Sequence, residues 1–381
     1  MNFDIFIVGD FYVGTHAGGR LLPLLDDNDI DLLFGDLLPA IKNSVLSIIN
    51  LEAPLLDDSF LEPKTGPSLK MPTKVARMLG EAGVDLACLA NNHIMDHGSI
   101  GLESTLRVLK ENKIGIVGAG LTENEKRNPY IRTIHNRKIG IINICENEWI
   151  TDNNSEAGAN GLDEMEAYYQ IGHLKSLTDF IIVIFHGGNE YYPLPSPRIK
   201  KTMRFFIDLG ADAIIGHHTH TYSGHEIYNG KPIFFSLGNF IFDSRKKSKG
   251  KNWNLGIAVG INIVSDELVF EIIPFEQHAE NFGVNILKNE NLRLFTVDLE
   301  RLNVIIRDDH LLQTTYEEFA NQLSTQYHSF INPYNGKLST LFKKGLLPNI
   351  YGKYKIRVLL NLVRCESHRD VLEIVLKQKF N

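Results

Sequence analysis

Cysteine is scarce in this chain of 381 residues, with Cys88, Cys145 and Cys365 far apart and odd in number. That pattern excludes a disulfide framework and any thiolate motif for a metal. Cys88 and Cys145 fall in apolar, strand-like runs and read as small buried hydrophobes. A basic excess is also missing: 39 Lys and Arg stand against 46 Asp and Glu, a net charge of -7. General nucleic-acid binding, which uses a basic surface, is therefore not expected. The local exception is Arg245-Lys246-Lys247 with Lys249 and Lys251, a solvated loop or a contact for an anion. No apolar run approaches the roughly 18 residues of a membrane span. The first ten residues, Met1 to Asp10, lack a basic leader and a long apolar core, and read as a first strand rather than a signal peptide. The expectation is a cytoplasmic protein, or one peripheral to a membrane. Internal repeats and low-complexity tracts are absent.

What is present is a globular composition, 43% hydrophobic and 22% charged, ample for a large core. Short β-type runs alternate with amphipathic stretches. Strands are expected at residues 3–8, 45–50, 84–89, 114–117, 130–133, 138–144, 180–185 and 213–215. Helices are expected at 37–43, 73–82, 100–112 with Ser99 as its cap, 164–176 and 198–209. This β-α-β alternation predicts a layered α/β architecture. Beyond Gly216 the pattern turns antiparallel. Asn229-Gly230 joins 224–228 to 232–236, and Ser265-Asp266 joins 255–264 to 268–275. A two-sheet sandwich with flanking helices fits better than a simple doubly wound sheet. The division expected is a core at 1–284 and a helical C-terminal region at 285–381, with helical periodicity at 316–326, 354–362 and 368–379.

Polar residues with ligand chemistry stand just beyond the apolar runs. Gly216-His217-His218-Thr219-His220 places three imidazoles within four residues, and imidazole is the commonest metal ligand. In an extended backbone His218 and His220 share a face, while His217 points away from it. Asp10 follows the first run, and alone reads as a strand-end cap as readily as a ligand. Glu52 follows the second; a charged group there needs an ion pair or a metal. Asn92 offers an amide oxygen and His93 an imidazole for acid–base work, with Asp96 placed to orient it and His97 as a lesser alternative. Capping asparagines at a helix entry would account for the same loop. His186 ends a run of five apolar residues and enters Gly187-Gly188, where it is either a ligand or a satisfied core histidine. Taken together, these segments point to a two-metal hydrolytic centre.

The ordered set Gly9-Asp10, Asn50-Leu51-Glu52, Ala90-Asn91-Asn92-His93 with Asp96 and Gly98, His186-Gly187-Gly188 with Glu190-Tyr191, and Gly216 to His220 resembles the CapA family. The run Phe235-Ser236-Leu237-Gly238-Asn239-Phe240 resembles it too, and the likeness covers about residues 1–280. That family is linked to capsule and poly-γ-glutamate synthesis and belongs to the calcineurin-like metallophosphatase superfamily. The resemblance implies a four-layer α/β/β/α sandwich with metals at strand ends. It implies Asp10 and His220 at a first metal, Asn92, His186 and His218 at a second, and Glu52 as the bridge. His93 would be the general acid, oriented by Asp96. Asn50, Glu190 and His217 would support the ligands or touch substrate. Mixed oxygen and imidazole donors suit manganese, iron or zinc. Two departures stand out: Asp10-Phe11-Tyr12 has no histidine where the superfamily has Asp-x-His, and Glu52 stands where it usually has Asp. His16 is a weaker substitute donor. The function implied is a metal-dependent, phosphoesterase-like hydrolase acting on an anionic ester in capsule or exopolysaccharide synthesis. Its partners would be an anionic polymer or phosphate-ester substrate and membrane-associated synthesis machinery. The alternatives are a non-hydrolytic accessory protein that holds the anionic polymer, and metal-dependent amide hydrolysis.

Overall fold

The computed structural model describes residues 1–14, 19, 21–26, 28–62, 67–147, 156–243, 252–277, 283–323, 334–353, 355, 356 and 359. His16, the basic run at 245–251, Cys365 and the helical stretch 368–379 lie outside the described residues, as do parts of 316–326 and 354–362. Two compact units are present, Met1–Gln313 and Thr314–Asn381.

The strands of the first unit are, in chain order, β1 (Ile5–Tyr12), β2 (Leu46–Leu51), β3 (Leu86–Cys88), β4 (Gly115–Val117), β5 (Ala119–Gly120), β6 (Tyr130–Ile134), β7 (Arg137–Cys145), β8 (Gly158–Ala159), β9 (Phe180–His186), β10 (Ala213–His217), β11 (His225–Tyr228), β12 (Lys231–Phe234), β13 (Asn239–Phe242), β14 (Leu255–Val264), β15 (Glu267–Gln277) and β16 (Val284–Ile286). One sheet runs β16-β15-β14-β1-β2-β3-β4, with β13 also paired to β1. The other runs β11-β12-β10-β9-β7-β6, and β5 and β8 form a small separate pair. Within each sheet the central strands are parallel and the antiparallel hairpins lie at the edges. Every residue of β1 and of β9 is buried, as expected of parallel strands covered on both faces. The architecture is the expected α/β/β/α sandwich.

Local chemistry explains the elements. The helix Pro197–Leu209 starts where Ser196 accepts from the Ile199 amide (3.2 Å) and proline occupies the first turn. It stops at Gly210, whose φ is 124°. The helix Lys74–Glu81 buries Val75, Ala76, Met78 and Leu79, a 3.6-residue stripe. Both hairpin turns read from the sequence form: Asn229-Gly230 and Ser265-Asp266 all have positive φ, the conformation a two-residue loop requires. Ser99 does not cap its helix. That helix runs Gly98–Glu111, with His97 at the cap position and Ser99 inside the first turn.

Two glycines set the geometry at the middle of the sandwich. A Cβ on Gly9 would sit 2.0 Å from the Gly238 carbonyl oxygen, and one on Gly216 would sit 2.1 Å from that of Phe235. Gly9 lies inside β1, and its role is close approach. The segment 235–239 threads between the sheets here. Leu237 donates its N–H to Gly216 (3.0 Å), and Gly238 accepts from Asp10 N–H (3.1 Å). One short stretch thus ties the end of β1 to the end of β10.

The first unit continues past residue 284 because the helix Asn289–Arg307 packs on its edge. Asn303 Oδ1 accepts from the His225 amide (2.8 Å), and the Phe295 and Tyr222 rings lie 4.3 Å apart. In the second unit the helix Gly336–Lys343 buries Phe342, whose ring lies 5.8 Å from that of Tyr334.

Candidate metal centre

Asp10 lies near the carboxyl end of β1, Glu52 just past β2, Asn92 in the loop after β3, and His186 closes β9. Asp10 lies opposite Asn50 on one side and Asn239 on the other. His217 lies opposite His186. The carboxyl ends of parallel strands from both sheets therefore face one place, the usual position of a site in open α/β sheets.

Asp10, Glu52 and His186 are all buried, with donor atoms within 4.8 Å of one another. Asn50 bridges the two acids, donating from Nδ2 to Asp10 Oδ1 (2.9 Å) and Glu52 Oε2 (2.7 Å). The second Glu52 oxygen, Oε1, has no hydrogen-bond partner and lies 3.8 Å from His186 Nε2. His186 Nε2 is also 3.2 Å from Asn92 Oδ1 and 3.1 Å from His218 Nδ1. Donors bonded at about 2.0–2.2 Å to a common cation stand about 3–3.5 Å apart, so this triplet has the spacing of a ligand set. A buried carboxylate oxygen without a donor is costly, and a cation would satisfy it.

The electrostatics agree with that fit. Burial, and then the Asp10 charge, push Glu52 well above the usual carboxylate range. Burial acts in the same direction on Asp10, but hydrogen bonding to His217 and His220, with the charge interactions of His217 and His186, outweighs it and holds Asp10 well below. Burial, aided by His218, keeps the His186 pKa well below normal, so the ring is neutral, the form that ligates metals. Burial also works to raise Glu190, but His220, His218 and His93 nearby bring it below normal.

His93 contacts Asp96 through Nδ1 (2.7 Å), and Asp96 is itself fixed by the Leu69 amide (2.6 Å). His97 accepts from the Phe60 amide through Nδ1 (2.9 Å). Cys88 and Cys145 are buried and free, and burial pushes both thiols up.

The histidine run differs from the extended reading. β10 ends at His217, and His218 and His220 adopt φ of 94° and 56°. Alternation of faces stops with the strand, so His217 does not point away: its Nδ1 lies 3.4 Å from Asp10 Oδ1. His218 donates its backbone N–H to Asp10 Oδ2 (3.2 Å), and His220 Nδ1 lies 3.5 Å from the same oxygen. Asn239 was missed as a site residue. Its Oδ1 is 3.0 Å from His220 Nδ1, and its Nδ2 donates to the His220 and Trp253 carbonyls. The run 235–240 was its signal, but pairing with a histidine 19 residues earlier is a tertiary fact. Tyr12, in place of the missing histidine, packs on Phe242 (5.0 Å), which meets His220 edge-on (4.7 Å). The position is thus given to aromatic packing behind His220.

The chain matches the family model described as bacterial capsule synthesis protein PGA_cap over residues 4–244. It is 29% identical over 246 residues to the capsule biosynthesis protein CapA of Bacillus anthracis, covering 62% of this chain and 59% of that one. It is 28% identical over 241 residues to the PGA biosynthesis protein CapA of Bacillus subtilis (strain 168), covering 62% of each. A probable polyglutamine synthesis accessory protein of Mycobacterium tuberculosis is 26% identical over 227 residues, covering 55% of this chain and 59% of that one. The matches thus span about six-tenths of the length of these curated relatives. The family match takes in the strand-end donors Asp10, Glu52, Asn92, His186, His218 and His220 and covers well over half the chain, which therefore belongs to the bacterial capsule synthesis protein family PGA_cap.

Proposed function

We propose that this chain is a divalent-metal-dependent, phosphoesterase-like hydrolase acting on an anionic ester during capsule or exopolysaccharide synthesis. The observation that carries the reading is the unpartnered Glu52 Oε1, buried beside His186, Asn92 and His218 at the spacing of ligands to one ion. Asn92, His186 and His218 would hold one cation, Asp10 and His220 a second, and Glu52 would bridge them. When bound, a pair of manganese, iron or zinc ions supplies Lewis acidity and a nucleophile at neutral pH.

The chain's own groups do the rest. Asn50 fixes both carboxylates through one amide nitrogen. Asn239 orients His220 through its Nδ1, and Asp96 holds His93. His93 would give its Nε2 proton to the departing alkoxide. His217 and Glu190 line the same place, flanking Asp10 and the His218–His220 turn. An anionic polymer or a phosphate ester is the proposed substrate, and membrane-associated synthesis machinery the proposed partner. No helix among the described residues is long and apolar enough to cross a membrane.

The deciding experiment measures manganese-dependent turnover of bis(p-nitrophenyl) phosphate, p-nitrophenyl phosphate and a γ-glutamyl peptide. Hydrolysis of a phosphate ester that stops on chelation is expected. Hydrolysis of the peptide alone would replace this reading with amide hydrolysis. Metal binding without turnover of any of them would favour a second reading, an accessory protein that holds an anionic polymer. The packing of Tyr12 against Phe242, which leaves the Asp10 side one imidazole short, speaks for that alternative.

A further inference from the structure

Beyond His220 the first unit contains a cavity of about 650 Å³, within the ~300–1,000 Å³ typical of small-molecule sites. The wall it shares with the metal centre is Tyr191 and Trp253. The Trp253 ring lies 5.1 Å from His220 and 5.9 Å from Tyr191. Trp253 is buried and its backbone is pinned, its carbonyl accepting from Asn239 Nδ2 (3.1 Å) and Gln277 Nε2 (3.2 Å). The far wall is the helix Asn289–Arg307, which contributes Phe295 beside Tyr222. Polar groups ring these aromatic faces: Asn252, Asn291, Glu276 and Asp298.

The charges decide what such a cavity takes. Glu276 and Asp298 are the acids among its lining residues, and Arg301 is the base. Arg301 is committed to Asp298 (2.9 Å from Nε), which also accepts from the Tyr222 hydroxyl (2.7 Å). Among the described residues the lining is therefore acidic by one charge, with its guanidinium already paired. A phosphate or a polyglutamate segment would meet repulsion here. A neutral ring rich in hydroxyls suits it: its C–H face carries partial positive charge and fits the negative π faces of Trp253 and Tyr191. Its hydroxyls can donate to the carboxylates and pair with the asparagine amides.

We propose that this cavity binds a neutral saccharide unit, held between the Tyr191–Trp253 wall and the helix Asn289–Arg307. It would present the adjoining bond of a glycan-linked substrate to the metal centre. The orientation rests on the metal-centre reading; saccharide binding does not.

The test uses Trp253 fluorescence in the full chain carrying W149F, which leaves one tryptophan of the two. N-acetylglucosamine, maltotriose and a γ-glutamyl tripeptide are titrated separately. A saturable change with at least one saccharide and none with the tripeptide is expected. Asp298→Ala should weaken saccharide binding about tenfold, the loss of a hydrogen bond to a charged group. Leu294→Phe, at a half-exposed lining position (54%), should narrow the cavity without removing a polar contact or adding a second tryptophan. No saturation with either saccharide, saturation by the tripeptide instead, or unchanged affinity in both variants would overturn the proposal. His218→Ala separates the two readings. Saccharide binding should persist in it while elemental analysis shows metal lost; retained metal would count against the metal-centre reading alone.

Discussion

The two sheets bring different chemistry to the site. The β1–β4 sheet and the loops after it supply oxygen: Asp10, Asn50, Glu52 and Asn92, with Asp96 behind. The other sheet, with the turn after β10, supplies nitrogen: His186, His217, His218 and His220. Each half alone is unsatisfactory. The oxygen side crowds two buried acids, so that Glu52 is pushed up and its Oε1 lacks a donor. The nitrogen side crowds imidazoles, with His186 Nε2 and His218 Nδ1 only 3.1 Å apart. The site exists because segment 235–239, admitted by Gly9 and Gly216, holds the two strand ends together.

If the oxygen and nitrogen halves form a scaffold for ions and His93 acts apart from it, substitutions should separate them. The largest effect is expected on turnover. His93→Ala should keep its metal yet lose about 10²–10⁴ in rate on esters with poor leaving groups. The loss should be far smaller with a nitrophenolate leaving group, which needs no proton. Equal losses on both substrates would remove His93 from the acid role. Next in size, Glu52→Ala and His186→Ala should each weaken manganese binding by about 100-fold or more, as read by calorimetry and elemental analysis. Full metal in both variants would dissolve the idea that the halves share ions.

Asn239→Ala should have a milder effect, about tenfold in metal affinity, because it orients a ligand rather than being one. The thermal midpoint should fall as well, because the His220 and Trp253 carbonyls lose their buried donor. The smallest effect is on stability against pH. Burial raises the Glu52 pKa above its unfolded value, so that group stabilises the metal-free fold most at low pH. The contribution is lost as pH climbs through the folded pKa. Asp10, held low, acts oppositely: its contribution is present at neutral pH and is lost as pH falls through its folded pKa. A cation takes the place of the Glu52 proton, so the rise in Tm on adding manganese should grow between about pH 5 and 8. A manganese increment that shrinks over that interval would contradict the Glu52 assignment.

Much of this was legible in the sequence wherever the cause is local. Asn229-Gly230 and Ser265-Asp266 announce their turns because two-residue hairpin loops require positive φ. Asp10, Glu52, His186 and the histidine run are visible as polar residues beyond apolar strands. What depends on distant partners was not legible. The face of His217 follows from where β10 stops, which the register with β9 decides. Asn239 gains meaning only when β13 pairs with β1. The helix Asn289–Arg307 joins the first unit through Phe295 and Asn303, which meet residues about 75 positions earlier.

The central claim is that the two halves grip a pair of ions between them. Anomalous scattering from a crystal soaked in manganese tests it most directly. Two peaks about 3.5–4 Å apart, one beside His186, His218 and Asn92, the other beside Asp10 and His220, with Glu52 between, are the expected result. No peak among these side chains, while manganese appears elsewhere on the molecule, would contradict it.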